Sequence, residues 1–192
     1  MSFRDCIVTD RLILRRFDEG DAEDVFALMR DDYIAERAGF RPFKSLGQTQ
    51  KFMDDWQEWA YVITERGSNT VIGIIQTPRT GWFNVAIGYW LSAEYRGLGY
   101  MTEAVEAVKE YIFDEFWWCD EIKIQVYCGN DASRNVALKC GFYPKYDAYR
   151  EYVYSRYGKV ESEECFTMTR GDYEWECRGE SYFTTAPLAE AA

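Results

Sequence analysis

The sequence predicts an α+β fold: a mixed, largely antiparallel, twisted sheet of about six or seven strands flanked by about four helices. Three observations predict it. Short runs of period-two alternation recur, the clearest being Phe83, Val85, Ile87, Tyr89 and Leu91. Between them lie stretches with a helical apolar stripe, best formed by Met101, Val105, Val108, Ile112 and Phe116, with Glu103, Glu106, Lys109 and Glu110 opposite. Turn residues separate several strand runs closely enough for hairpins.

In order, residues 12–14 form a short strand, and residues 21–30 a helix with Val25, Phe26, Leu28 and Met29 on one face behind an acidic first turn. A second helix runs over residues 48–59. Residues 61–64 and 71–76 make a hairpin around Arg66-Gly67-Ser68-Asn69, and residues 83–91 form one strand with a core face. The amphipathic helix follows, ending near Phe116. Ile122, Ile124 and Val126 mark another strand, and residues 131–139 a short helix closed by Gly141. Residues 143–154 and 165–169 pair antiparallel around Tyr157-Gly158-Lys159. No repeat or Pro/Ser-rich linker interrupts residues 1–175, which are expected to form a single domain, with residues 176–192 a flexible C-terminal tail.

Composition narrows the function. The chain has 192 residues, 47% hydrophobic and 29% charged, enough to bury a core. Twenty-two Lys and Arg against 33 Asp and Glu give a net charge of −11, the wrong sign for a protein that binds DNA. Histidine is absent, so His-dependent triads, dyads and zinc sites are excluded. The six cysteines, at 6, 119, 128, 140, 165 and 177, show no metal-finger spacing; no metal is expected, and the interior four read as small buried thiols of a reduced, cytoplasmic protein. No stretch approaches the ~20 apolar residues of a membrane span.

The strand, glycine-rich turn and helix over residues 83–116 carry the chemistry. A helix N-terminus offers unpaired N–H groups and the positive end of a dipole, so it suits phosphate. Gly97 and Gly99 let an anion approach the backbone, Arg96 adds charge and Thr102 a hydroxyl. A P-loop needs a Gly-Lys-Ser/Thr ending that is missing here, and Thr102 stands where a dinucleotide fingerprint has its third glycine. Alone, such a turn is equally compatible with a purely structural role.

Several motifs in order are more specific. Ile87-Gly-Tyr-Trp-Leu91, Tyr95-Arg-Gly-Leu-Gly-Tyr-Met-Thr-Glu-Ala104, and Asn130-Asp-Ala-Ser133 followed by Lys139-Cys-Gly-Phe142 resemble the GNAT acetyltransferases, and in particular the RimJ/RimL ribosomal-protein-acetyltransferase branch. The resemblance extends from Thr9-Asp-Arg-Leu12 to Thr169-Arg-Gly-Asp-Tyr173 and so covers most of the chain. It implies the GNAT fold and acetyl-CoA as acyl donor, bound by the loop Arg96, Gly97, Leu98, Gly99, Tyr100, Met101 and Thr102, with pyrophosphate on the N–H groups of Gly97, Gly99, Met101 and Thr102. The pantetheine arm would pair with the strand backbone at Tyr89 and Leu91. Met101 departs from the Gly or Ala of the family's phosphate loop, as this branch commonly does.

Asn130 and Ser133 lie three apart at a helix start, where either can act as a cap. The resemblance implies a second role. The tyrosine acid of many GNAT enzymes is replaced by Ala137 here, and in this branch the Ser of Asn-x-x-Ser substitutes for it, which makes Ser133 the candidate general acid. A Glu that relatives often place on this strand is Ala86, so the base is unassigned, with Glu163 and Glu164 available directly or through water. The expected reaction is direct acetyl transfer to a primary amine: a protein or peptide N-terminal α-amine, with a polyamine or amino sugar as the alternative. Acid-rich segments at 18–24, 31–32 and 54–55 could attract a cationic acceptor. A non-catalytic acyl-CoA-binding regulator is a reading of another class, motivated by Ala86 and Ala137, and a homodimer is compatible with either.

Overall fold

A computed structural model describes residues 4–145, 152–154 and 160–177. Two sheets are present among them. The first is antiparallel throughout, in the order β1 (Cys6–Val8), β2 (Leu12–Arg15), β3 (Ala60–Glu65), β4 (Gly73–Gln76) and β6 (Gly88–Leu91). The second runs β5 (Asn84–Ala86), β7 (Glu121–Tyr127), β10 (Val160–Thr169) and β8 (Tyr143–Pro144), with β9 (Tyr152–Tyr154) also on β10. Its β5–β7 pair is parallel and the rest antiparallel. The helices are α1 (Ala22–Met29), α2 (Asp32–Ala38), α3 (Leu46–Trp56), α4 (Tyr100–Glu115), α5 (Asp131–Lys139) and α6 (Arg170–Cys177).

Strand alternation builds two cores. On β3 and β4, Tyr61, Ile63 and Ile75 join Val105, Val108 and Ile112 of α4. Their neighbours Ala60, Val62 and Ile74 join Val25 and Leu28 of α1 and Met53 of α3. Both faces of these central strands are therefore apolar, as expected of strands covered by helices on each side.

Several expectations need correction. The single strand over residues 83–91 is two strands, β5 and β6, which meet at Ile87. Phe83, placed on the core face, is 56% exposed at the strand's start. The second helix begins at Leu46 and stops at Trp56, and β1, α2 and α6 were not expected. Lys109, assigned to the solvent face of α4, is 2% exposed. It donates to the Cys140 carbonyl and to Glu176, because α6 and the end of α5 cover that face. Burial disfavours its charge, yet Glu106 and Glu176 outweigh that and raise its pKa. Of the interior cysteines, Cys119 and Cys140 are buried but Cys128 is exposed. Tyr157-Gly158-Lys159 and residues 178–192 of the expected tail lie outside the described residues.

The closing Thr169-Arg-Gly-Asp-Tyr173 motif is structural. Arg170 donates to the carbonyls of Phe113 (2.8 Å) and Phe116 (2.7 Å), satisfying groups at the C-terminus of α4, and to that of Cys119 (3.1 Å) in the loop beyond it. Asp172 accepts from the Thr169 N–H at 2.9 Å and fixes the turn into α6. No helix among the described residues is long and apolar enough to cross a membrane.

Glu121 joins the strands of the second sheet. Burial alone would raise its pKa, but hydrogen bonds from Thr167, Lys123 and Lys145 prevail and lower it to about 2. A depressed carboxylate stabilises the fold above its unfolded pKa of ~4.3 and loses that contribution as pH falls through the folded value. Glu121→Gln should therefore narrow its stability gap to wild type between pH ~4.3 and pH 2, as measured by urea unfolding at stepped pH.

Candidate active site

The loss of β7 from one strand edge after Ile87 opens the site. The Ile87 N–H still donates to the Lys123 carbonyl of β7 at 2.7 Å, but beyond it only the opposite edge is paired, with β4. No ladder joins β6 to β7. A cleft of about 600 Å³ lies there, lined by residues 86–91 on one side and by Ile124, Gln125 and Tyr127 on the other.

Backbone parity decides which groups face it. The Ser92 N–H donates to the Ile72 carbonyl at 2.9 Å, so the even positions of β6 point at β4 and the odd ones point away. Tyr89 and Leu91 thus turn their backbone N–H and C=O groups toward the cleft. One lone pair of the Leu91 carbonyl is already engaged by Arg96 Nε at 3.0 Å.

The turn into α4 closes one end. Gly97 and Gly99 adopt φ of +77° and +82°, which L-residues avoid. They line the cleft together with Arg96, Tyr100, Met101 and Thr102, whereas Leu98 does not and is 54% exposed. A Cβ on Gly97 would meet open space, but one on Gly99 would lie 3.3 Å from Arg11 Nη2. Glycine at 99 is therefore required by its φ and by Arg11 behind the turn, and the open approach is at Gly97.

Asn130 and Ser133 both line the cleft but differ in role. Asn130 is the N-cap of α5, its Oδ1 accepting from the Ser133 N–H at 3.3 Å. The Ser133 hydroxyl does not cap; it lies 2.9 Å from the Tyr89 hydroxyl, which also donates to the Ser133 carbonyl at 3.1 Å. Burial raises the Tyr89 pKa despite the Ser133 hydrogen bond, so the phenol stays protonated. Glu163 lines the cleft and accepts from Gln125 at 3.3 Å, whereas Glu164 is paired with Arg134 at 3.1 Å.

Helix α2 was not legible and covers the mouth. Its Tyr33 ring lies 4.5 Å from the Arg37 guanidinium and 4.4 Å from that of Arg96, and Arg37 donates to the Gly129 carbonyl at 3.3 Å. A Cβ on Gly39 would run into the Tyr127 hydroxyl. Asp31, which caps α2, and Gly39, which ends it at φ +70°, are the sequence signals that could have located it.

Comparison with known proteins agrees with this geometry. A family model for the acetyltransferase (GNAT) domain matches residues 11–143. The chain belongs to the GNAT acetyltransferase family. An uncharacterized N-acetyltransferase of Bacillus subtilis, YoaA, is 31% identical, the match covering 76% of this chain and 86% of that protein. Two solved structures from Vibrio cholerae share the GNAT fold. One is a putative ribosomal-protein-serine acetyltransferase, with 21% identity, TM-score 0.73, and coverage of 88% of this chain and 99% of that one. The other is a spermidine N-acetyltransferase in complex with CoA and spermine, with 15% identity, TM-score 0.74, and coverage of 86% and 99%. This GNAT protein is an N-acetyltransferase.

The capping geometry separates two neighbouring side chains. Asn130→Ala should cost about 1 kcal/mol of unfolding free energy, the usual size of a lost N-cap, and Ser133→Ala only a few tenths. Chemical denaturation of both variants checks this.

Proposed function

We propose that this GNAT enzyme, acting through a single domain over residues 1–175, transfers the acetyl group of acetyl-CoA to the N-terminal α-amine of a protein or peptide, as its RimJ/RimL-like motifs imply. The observation that carries the reading is the cleft where β6 parts from β7. Its edge backbone at Tyr89 and Leu91 suits an extended pantetheine arm, and the N–H groups of Gly97, Gly99, Met101 and Thr102 suit a pyrophosphate. Among the described residues Arg37, Arg96 and Lys139 line it against one carboxylate, Glu163, so this cleft favours anions in a chain of net charge −11. Leu98 contributes its backbone to the turn rather than a contact of its side chain.

In this mechanism the amine first loses a proton, to Glu163 directly or through water, and then attacks the thioester carbonyl. Edge N–H groups of β6 stabilise the oxygen as charge builds on it. As the C–S bond breaks, the Ser133 hydroxyl protonates the departing thiolate, and the proton that the attacking nitrogen sheds as the amide forms returns through water to Ser133. Tyr89 supports that step: when its hydroxyl proton turns from the Ser133 carbonyl to Ser133 Oγ, the Ser133 proton is free to point at the sulfur.

A spermidine acetyltransferase among the structural neighbours keeps a polyamine acceptor in view. Charge argues against it. A polyamine carries several ammonium groups, and among the described residues Glu163 is the one carboxylate lining the cleft. Much of the acidity near α1 and α2 is already engaged: Asp21 with Arg15 at 2.7 Å, Asp24 with the Val71 N–H at 2.9 Å, and Asp31 with the Ile34 N–H at 2.9 Å.

Acetylation of peptide N-termini and of spermidine, measured with acetyl-CoA, tests the acceptor. Peptides should give the higher kcat/KM, and a preference for spermidine would overturn that choice. Ser133→Ala should lower kcat by ~10²-fold with little change in CoA affinity, and an unchanged kcat would remove Ser133 as the acid.

A further inference from the structure

The Thr9-Asp-Arg-Leu12 segment lies outside the cleft, yet it touches the turn that builds the cleft's anion-binding end. Arg11 Nη1 donates to the Leu98 carbonyl at 2.9 Å. Its Nη2 would lie 3.3 Å from a Cβ on Gly99, and its guanidinium stacks 4.6 Å from the centre of the Tyr100 ring. One side chain therefore bonds to Leu98 and stacks on Tyr100, on either side of Gly99. A carboxylate holds it in place: Glu103 Oε2 accepts from Arg11 Nε at 2.6 Å, and Glu103 Oε1 accepts from the Arg11 N–H at 2.9 Å and from Thr9 Oγ1 at 2.6 Å.

Two consequences follow from elementary geometry and charge. In a trans peptide the C=O and the following N–H point in opposite directions. Arg11 is not a cleft residue, so holding the Leu98 carbonyl on its side turns the Gly99 N–H toward the cleft. Glu103 sits in the first turn of α4, where a bare carboxylate would repel a bound phosphate. Burial would raise its pKa, but hydrogen bonds from Thr9 and Arg11 prevail, so it stays charged, and Arg11 neutralises it.

We propose that Arg11, locked by Glu103 and Thr9, is a positioning residue that aims the Gly97–Gly99 turn at the pyrophosphate of CoA and cancels the adjacent negative charge. The proposal rests on the reading of that turn as the pyrophosphate site. It gives the N-terminal motif a role in donor affinity, although no atom of Arg11 lines the cleft. The guanidinium reaches Glu103 and Leu98 together because its donors form a rigid fork; a lysine ammonium can satisfy one of them well, but not both.

The experiment measures dissociation constants for CoA and for pantetheine, which lacks the phosphates and adenosine, by calorimetry and competition on wild type, Arg11→Gln and Arg11→Lys. Wild type should bind CoA far more tightly than pantetheine. Arg11→Gln should weaken CoA binding by about tenfold or more while leaving pantetheine binding unchanged. Arg11→Lys, which retains the charge beside Glu103 and guards against loss of folding, should fall between. If wild type shows no preference for CoA, the pyrophosphate site itself is wrong. If wild type prefers CoA and both variants keep the full preference, or lose CoA and pantetheine affinity in equal proportion, Arg11 does not aim the turn and the proposal is overturned.

Discussion

A strand has two hydrogen-bonding edges, and the segment from Asn84 to Leu91 keeps only one of them paired along its whole length. Its even edge bonds to β4 and to the chain just after it throughout, whereas its odd edge runs parallel to β7 only through Ala86, and the Ile87 N–H makes the last bond to Lys123. Beyond that point β6 and β7 part, and the backbone groups of Tyr89 and Leu91 have no strand facing them. Unpaired backbone edges in a concave, partly apolar site are costly unless solvated or paired, so an extended amide-bearing ligand is the natural complement. The glycine turn at residues 97–99 follows β6 directly, α5 places Asn130 and Ser133 beside the cleft, and α2 spans the mouth. Each would be an ordinary surface element if the strand had kept its first partner.

Charge is partitioned to match. The chain is strongly acidic, but several acids before β3 serve the backbone: Asp18 and Asp31 cap helical turns, and Asp24 accepts from the Val71 N–H. Arginines converge on the cleft and its rim, where Arg37 and Arg96 hold Tyr33 between them and Arg11 supports the turn from behind. Such an arrangement binds a polyanionic donor without making the whole surface basic, and hydrogen-bonded amides contribute as much as formal charge.

Much of this was legible in the sequence because it is local. The bounds of α5 follow from Asn130 and Gly141, and α4 from its apolar stripe and the glycines before it. The break at Ile87 was not, for a physical reason: losing a hydrogen-bond partner from one edge leaves side-chain alternation intact, so Val85, Ile87, Tyr89 and Leu91 still pack toward one core. Lys109 was misplaced because α6 and the end of α5, remote in sequence, cover it. The roles of Arg11 and Arg170 were hidden likewise, since each acts on carbonyls at least 50 positions away. Ser133 lines the cleft, but its hydroxyl pairs with Tyr89 and leaves capping to Asn130, a division that spacing alone could not make.

The central claim is that the outward edge of β6 receives the donor. Residue-resolved amide hydrogen exchange with and without CoA tests it most directly, because parity separates adjacent residues of one strand. The Trp90 amide, directed at β4, should be protected already and change little. The Tyr89 and Leu91 amides should become protected on CoA addition, together with those of Gly97, Gly99, Met101 and Thr102 in the turn. Protection that leaves Tyr89 and Leu91 unchanged while CoA is bound would contradict the account.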